Sequence, residues 1–208
     1  MSTGLLFVTA PEADHKLINL LLMRLRDWEY GGGQDRLHLM TTKNAYDLDP
    51  PAMPLRSGTQ EKGETSPPLP SSLDNAWAGA TLEDVEAFCI DLKRNDDGKG
   101  MYNKSLFVVV DSTDVRAQTC ILGERAIDEE ADTFTWLDKF NKMRIPWDDL
   151  YVTWCNLDIA NMNFDEFTHE DGDVNGWFTY REIGDDLSEG NQRKRDREIQ
   201  RFRDAGHI

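Results

Sequence analysis

The sequence predicts an α/β or α+β fold: a single mixed sheet with packed helices, a disordered proline-rich insertion and a C-terminal helix or tail. Three observations carry this. Leu106-Phe-Val-Val-Val110 is an unbroken, largely β-branched apolar run, the pattern of a strand buried on both faces. Two other segments, residues 12–29 and 81–92, space their apolar residues at helical intervals, so that each has one face to bury on a sheet. Between them, residues 47–73 hold six of the eight prolines among Ser, Gly, Glu and Lys, a composition too polar to bury a core.

In chain order, residues 5–8 read as a short buried strand, and Thr9-Ala-Pro-Glu12 as a capping box that opens the first helix. Leu17, Leu21, Leu25 and Trp28, joined by Ile18 and Leu22, form its apolar face, and Gly31-Gly-Gly33 ends it as a flexible turn. Residues 37–41 follow as a second strand. Thr81-Leu-Glu-Asp84 opens the next helix, which places Cys89 in the core, and residues 95–100 form a turn before the central strand. Further strands are expected at 119–122 and 133–137, with helices over 146–157 and 164–170. Residues 1–187 then form one domain, with 188–208 a basic helical tail. Only Ile199 and Phe202 give that tail an apolar stripe. It either docks on the acidic body or stands as a solvated terminal helix, and the thin stripe favours the second.

The 208 residues are 39% hydrophobic and 30% charged, with mean hydropathy −0.61, values of a folded body carrying much polar chain. The formal charge of −16 is uneven: −6 over residues 1–127, −13 over 128–190 and +3 over 191–208. Such a field repels nucleic acid and anionic lipid and attracts cations or a basic protein surface, although acidity also serves solubility alone. Cys89, Cys120 and Cys155 are odd in number, widely spaced and without a Cys-x-x-Cys pair, so they read as reduced thiols of a cytoplasmic protein. No apolar stretch reaches the length of a membrane span.

Asp171-Gly-Asp-Val-Asn-Gly-Trp-Phe-Thr-Tyr-Arg-Glu182 fits the side-chain positions of an EF-hand calcium loop. Asp171, Asp173 and Asn175 stand at positions one, three and five, Gly176 at the sharp turn, Trp177 offers its carbonyl, Thr179 stands at nine and Glu182 closes the set. Calcium, a hard cation needing several oxygens, is the one cofactor this spacing points to. The other reading is an acidic turn leading into a strand at Trp177-Phe-Thr-Tyr180, and the lack of a paired second loop favours it.

Asp111 and Asp114 follow the central strand, where α/β folds place ligands and catalytic carboxylates, so they are candidate acids or bases. As a local pattern, Asp111-Ser-Thr-Asp114 also caps a following element. Neither Ser112 nor any of the four histidines stands in a recognised hydrolase or zinc-protease pattern. The aromatic residues of the C-terminal half, Trp136, Trp147, Trp154 and Trp177 among them, either fill the core or line a pocket for a small apolar ligand.

Ile145-Pro-Trp-Asp-Asp-Leu150, Asn156-Leu-Asp-Ile-Ala-Asn-Met-Asn-Phe-Asp-Glu-Phe167 and Gly176-Trp-Phe178 resemble a family of small acidic α/β domains described only as a domain of unknown function. The resemblance extends over residues 5–180, the proline-rich insertion excepted, and implies a compact α/β domain with no activity to transfer. Within its motif (Asn156, Asn161, Phe164, Asp165, Glu166 and Phe167), Phe164 and Phe167 are expected to pack inward, with Asn156 and Asn161 satisfying backbone groups at helix ends. Three functions remain open: a binding or regulatory module of the inhibitor or immunity type, a small-molecule cyclase, isomerase or lyase working through a carboxylate, and a calcium-dependent protein. Whether the chain is an enzyme is left undecided at this level.

Overall fold

The computed structural model describes residues 2–30, 33–44, 64–94, 102–128, 133, 135–182 and 187–208. Its centre is one six-stranded mixed sheet. The elements are β1 (Thr3–Val8), α1 (His15–Arg24), β2 (Leu37–Leu39), α2 (Leu82–Arg94), β3 (Tyr102–Val110), α3 (Ser112–Ala117), β4 (Thr119–Ile127), β5 (Trp136–Pro146), α4 (Trp147–Asp158), a 3-10 helix (Phe164–Phe167), β6 (Trp177–Phe178) and α5 (Glu189–Asp204). The strand order is β2-β1-β3-β4-β5-β6, with β2, β1 and β3 parallel, β4 antiparallel to both neighbours, and β6 parallel to β5.

The period-two alternation of the strands divides their side chains between two cores. Leu6, Val8, Leu106, Val108, Leu122, Met143 and Ile145 face α1, α4 and the 3-10 helix. Leu5, Phe7, Phe107, Val109, Ile121 and Phe140 face α2 and Trp77. The chain reaches this arrangement by leaving β1 through α1 to β2 on one side and returning through α2 to β3 on the other. Right-handed crossovers of opposite direction put their helices on opposite faces. Leu106-Phe-Val-Val-Val110 is the buried half of β3, and its register partners on β1 run from Phe107 against Leu5 to Val110 against Val8.

Several local expectations shift. Asp14 caps α1, its carboxylate accepting from the Leu17 amide at 2.9 Å, so the helix starts later than the Thr9-Glu12 box would place it and ends at Arg24. Trp28 lies beyond the helix and anchors there by donating its indole N–H to the Met23 carbonyl at 2.7 Å. At α2 the box does form: Asp84 accepts from the Thr81 amide at 3.0 Å and Thr81 Oγ1 from the Asp84 amide at 3.2 Å. The expected helix over 164–170 is only the four-residue 3-10 turn. β5, expected at 133–137, runs to Pro146 through a polar stretch whose inward positions include the Lys142 side chain, ion-paired with Glu86 at 2.6 Å and set over the Trp177 ring.

The proline-rich insertion lies partly outside the described residues, as do Gly31, Gly32 and the turn at 95–100. Its described part, residues 64–73, packs against the fold instead of forming a linker. Thr65 donates its amide to the Leu37 carbonyl at 2.9 Å and accepts at Oγ1 from the Leu39 amide, while Leu69 is buried and donates its amide to Asn19 Oδ1.

The C-terminal segment corrects the reading of a solvated helix. α5 lies on α1, with Ile199 only 3% exposed in a cluster with Met23 and Trp28 and flanked by Phe202 and Ile208. Asn19 Nδ2 donates to the His207 carbonyl at 2.9 Å, and Arg195, itself buried, reaches Asp148 at 3.0 Å. The stripe is thin, but two apolar residues one turn apart suffice for a seam when the partner helix supplies Leu20 and Met23. Ile199→Ala is expected to destabilise the protein by about 2–4 kcal/mol in urea unfolding, the cost of deleting buried methyl groups, whereas a solvated helix would change by under about 0.5 kcal/mol.

Candidate functional site

Asp111 and Asp114 lie where the sequence placed them, at the C-terminal end of β3, and they serve as the cap of α3. Asp111 Oδ1 accepts from the amides of Thr113 and Asp114 at 2.7 and 2.8 Å, while Asp114 Oδ2 accepts from the Asp111 amide at 3.0 Å. Asp114 is fully buried and also takes the Thr119 hydroxyl at 2.7 Å; Arg144 of β5 spans both carboxylates, reaching Asp111 at 3.0 Å and pairing with Asp114. Burial opposes ionisation of Asp111, but the Arg144 hydrogen bond and the helix amides outweigh it and hold its pKa below the usual carboxylate range. Burial dominates at Asp114 and raises its pKa. The pair thus ties β3, α3, β4 and β5 together, with its acceptor positions largely used within the fold.

The loop following the 3-10 helix presents the EF-hand candidates on the surface. Asp171 Oδ1 accepts from the Thr179 amide at 3.0 Å, and Asp173 Oδ1 from the amides of Asn175 and Trp177 at 2.7 and 3.0 Å. The Trp177 carbonyl accepts from the Asp173 amide at 2.9 Å. Gly176 adopts φ +77°, and a Cβ there would meet the Phe140 carbonyl, so the sharp turn requires glycine. Asn175 and Glu182 are exposed. The flank before the loop is a 3-10 turn in place of a helix, and the two-residue β6 lies within the loop itself. Among the described residues no three His, Cys, Asp or Glu side chains converge as a metal-ligating group. As folded, the loop is closed by its own hydrogen bonds and carries Asp165, Glu166, Glu170, Asp171 and Asp173 exposed along one stretch.

Of the motif residues, the two phenylalanines pack inward and Asn156 meets a backbone carbonyl as expected, whereas the Asn161 side chain meets that of Asn156 and not a backbone group. Phe164 and Phe167 are buried, Asn156 Nδ2 donates to the Val152 carbonyl at 2.8 Å, and Asn161 Nδ2 donates to Asn156 Oδ1 at 2.7 Å. Glu166 accepts from the Asn163 amide at 2.9 Å and fixes the start of the 3-10 turn. Most of the C-terminal aromatics are core: Phe140, Trp147, Tyr151 and Trp154 are buried, and the Tyr151 hydroxyl donates to Asp27 at 2.8 Å.

A further carboxylate escapes local sequence reading. Glu124 on β4 lies on the same strand face as Leu122, opposite Leu106 of β3 and Asn141 of β5. It opens into a recess of about 440 Å³ whose lining includes Asn141, Asn163, Phe164, Asp165 and Phe178. Phe164 and Phe178 meet edge to face with centroids 5.7 Å apart. Burial, with a smaller contribution from Asp165, pushes the Glu124 pKa from 4.5 up to about 7. The signal was available in the alternation Cys120, Leu122, Glu124, Ala126, which puts a carboxylate on a core-facing position once the strand is carried past Leu122.

These features define an acidic α/β domain with a doubly covered mixed sheet, an exposed carboxylate-bearing loop and a recess lined by Glu124 and Asp165. The chain belongs to the family described as a domain of unknown function, DUF6924, whose pattern matches residues 55–181. The match begins well after β1 and β2, later than the resemblance in the sequence placed it, and contains the recess and the loop up to Arg181, leaving Glu182 just outside. No curated protein and no solved structure matches the chain. Among the described residues, no helix is long and apolar enough to cross a membrane.

The raised Glu124 pKa has a signed consequence. The folded protein holds this proton more tightly than the unfolded chain, so Glu124 contributes fully below about pH 4.5 and its contribution is lost as pH rises to about 7. Unfolding free energy is expected to fall by up to about 3 kcal/mol across that window on account of this group. Glu124→Gln, followed by urea unfolding at several pH values, should remove that portion of the slope and stabilise the protein above pH 7.

Proposed function

We propose that the chain is a binding module of the inhibitor or immunity-like regulatory type, acting in the cytosol, whose acidic face engages a basic protein surface. The observation that carries this reading is the stretch of exposed carboxylates from Asp165 to Asp173 on a backbone fixed by its own hydrogen bonds and by the Lys142 amide, which donates to the Gly176 carbonyl at 2.6 Å. Charge held on a rigid turn steers a cationic partner and fixes its orientation without the ordering cost a mobile tail would carry. Fully exposed Val174 at the tip adds a small apolar contact within the charged surface.

The test uses the full chain with an arginine- and lysine-rich peptide and a folded basic protein as probes. Affinity is expected to fall by at least about tenfold between low and moderate salt, as screening of exposed charges requires. The triple variant Glu170→Gln, Asp171→Asn, Asp173→Asn should weaken both complexes by at least about fivefold at low salt, through loss of the facing charge. Equal weakening by Asp74→Asn, Glu83→Gln, Glu189→Gln, three exposed acids elsewhere, would mean that net charge acts and not this face.

A second reading has its own observation: Gly176 takes the positive φ that position six of a calcium loop demands, with Asp171, Asp173, Asn175 and Glu182 all exposed around it. Calcium binding there would require the turn to exchange its amide contacts for the ion. Calorimetric titration of chelator-treated protein decides it. One-to-one binding that disappears in Glu182→Gln supports a cation site, and silence in both proteins assigns the loop to protein contact alone.

A further inference from the structure

We propose that the recess beside Glu124 binds a small organic amine, with its ammonium group between Glu124 and Asp165 and its apolar body against Phe164 and Phe178. The volume of about 440 Å³ falls within the range of small-molecule sites, about 300–1,000 Å³. The lining decides the charge of the occupant. It offers two carboxyls, the side-chain amides of Asn141 and Asn163, and an aromatic pair. Arg125 also lines the recess, but its guanidinium is already engaged, donating from Nε to the Leu137 carbonyl at 2.7 Å and from Nη2 to Asp138 at 2.6 Å.

The other charged groups on the surrounding elements are Lys104 on β3, two residues from Leu106, Asp138, Lys139, Lys142 and Arg144 on β5, and Glu166 on the 3-10 helix, with Asp138 paired to Arg125, Lys142 to Glu86 and Arg144 to Asp111 and Asp114. None of them, nor any amide or hydroxyl, contributes to the Glu124 carboxyl, which responds to burial and Asp165 alone. A largely buried carboxylate without a partner is costly, and a charge-assisted hydrogen bond from a bound ammonium is the interaction that would satisfy it. An anion would meet two like charges, and a neutral solute would leave the carboxylate uncompensated. Phe164 and Phe178 offer ring surface for an apolar body and for cation–π contact. This inference shares Asp165 with the acidic-face reading but makes no use of Glu170, Asp171 or Asp173, so the triple loop variant leaves the recess unchanged.

Occupancy is coupled to protonation. An alkylammonium stays charged across the neutral range, so it selects the ionised form of Glu124, and affinity should rise about tenfold from pH 6 to pH 8 as that form becomes dominant. The experiment follows amide shifts of the full chain by NMR while phenethylamine is added at pH 6 and pH 8, with 2-phenylethanol as the neutral counterpart. Saturable shifts at β4, β5 and the 3-10 helix, tighter at pH 8, absent with the alcohol and weakened at least tenfold in Glu124→Gln, are expected. Asp165→Asn, at an exposed position, serves as the second variant should Glu124→Gln fail to fold, and should weaken binding severalfold. Equal binding of the alcohol, no pH dependence, shifts confined to other regions, or full binding in the variants would overturn the proposal. Displacement of the amine by a lysine-rich peptide would overturn the small-molecule occupant, while the triple loop variant alone tests the acidic face.

Discussion

The two central strands must bury both faces, and the rest of the molecule follows from that requirement. β1 and β3 alternate large apolar side chains to either side, so each side needs a helical layer, and the crossovers through α1 and α2 supply one apiece. On the α1 side the cover is completed by α4, which ends at Asp158, and beyond it, among the described residues, a single 3-10 turn continues over the sheet towards β6. The recess at Glu124 lies where this cover becomes thin. Its position is therefore set by the length of α4 and by the shortness of the turn that replaces a further helix.

Charge is used in two ways. Between elements it forms bridges, some buried and some at the rim: Arg144 spans Asp111 and Asp114, Lys142 meets Glu86, and Arg195 carries the basic α5 onto the exposed Asp148, which Arg24 also approaches. Breaking one partner of a buried pair leaves an uncompensated charge, so these contacts fix registry more than they add net stability. At the surface, by contrast, Asp171 and Asp173 accept from Thr179, Asn175 and Trp177 of their own loop and keep their charge directed outward.

The sheet, the buried β3 run, α2 with its cap, and the position of Asp111 were legible in the sequence because each is written in contiguous residues. The extent of β5 was not, since its inward Lys142 and paired Arg144 are tolerated only through partners on α2 and α3 that are distant in sequence. Docking of α5 rested on two apolar residues, too few to distinguish a seam from a solvated helix until Met23 and Trp28 are brought opposite them. Glu124 was passed over for a related reason. Its significance lies in a long-range juxtaposition with Asn141, Asp165 and Phe178 that no local pattern contains. The Asp171–Glu182 spacing was legible as a motif, but its hydrogen bonds equally describe a tight acidic turn.

The outermost strands are β2, with three residues, and β6, with two. A second chain seeking to extend the sheet would find only two or three rungs on β2 or β6 themselves, too few to repay the ordering of an added strand, and where β5 runs past the two residues that β6 pairs, its edge carries the exposed charges Asp138 and Lys139. The apolar strands β1, β3 and β4 lie inside the sheet, and the net charge of −16 adds mutual repulsion between copies. Polymerisation through strand addition is thus disfavoured by the architecture itself, leaving the acidic loop beside one of those edges free to be exposed at high concentration without recruiting its own kind.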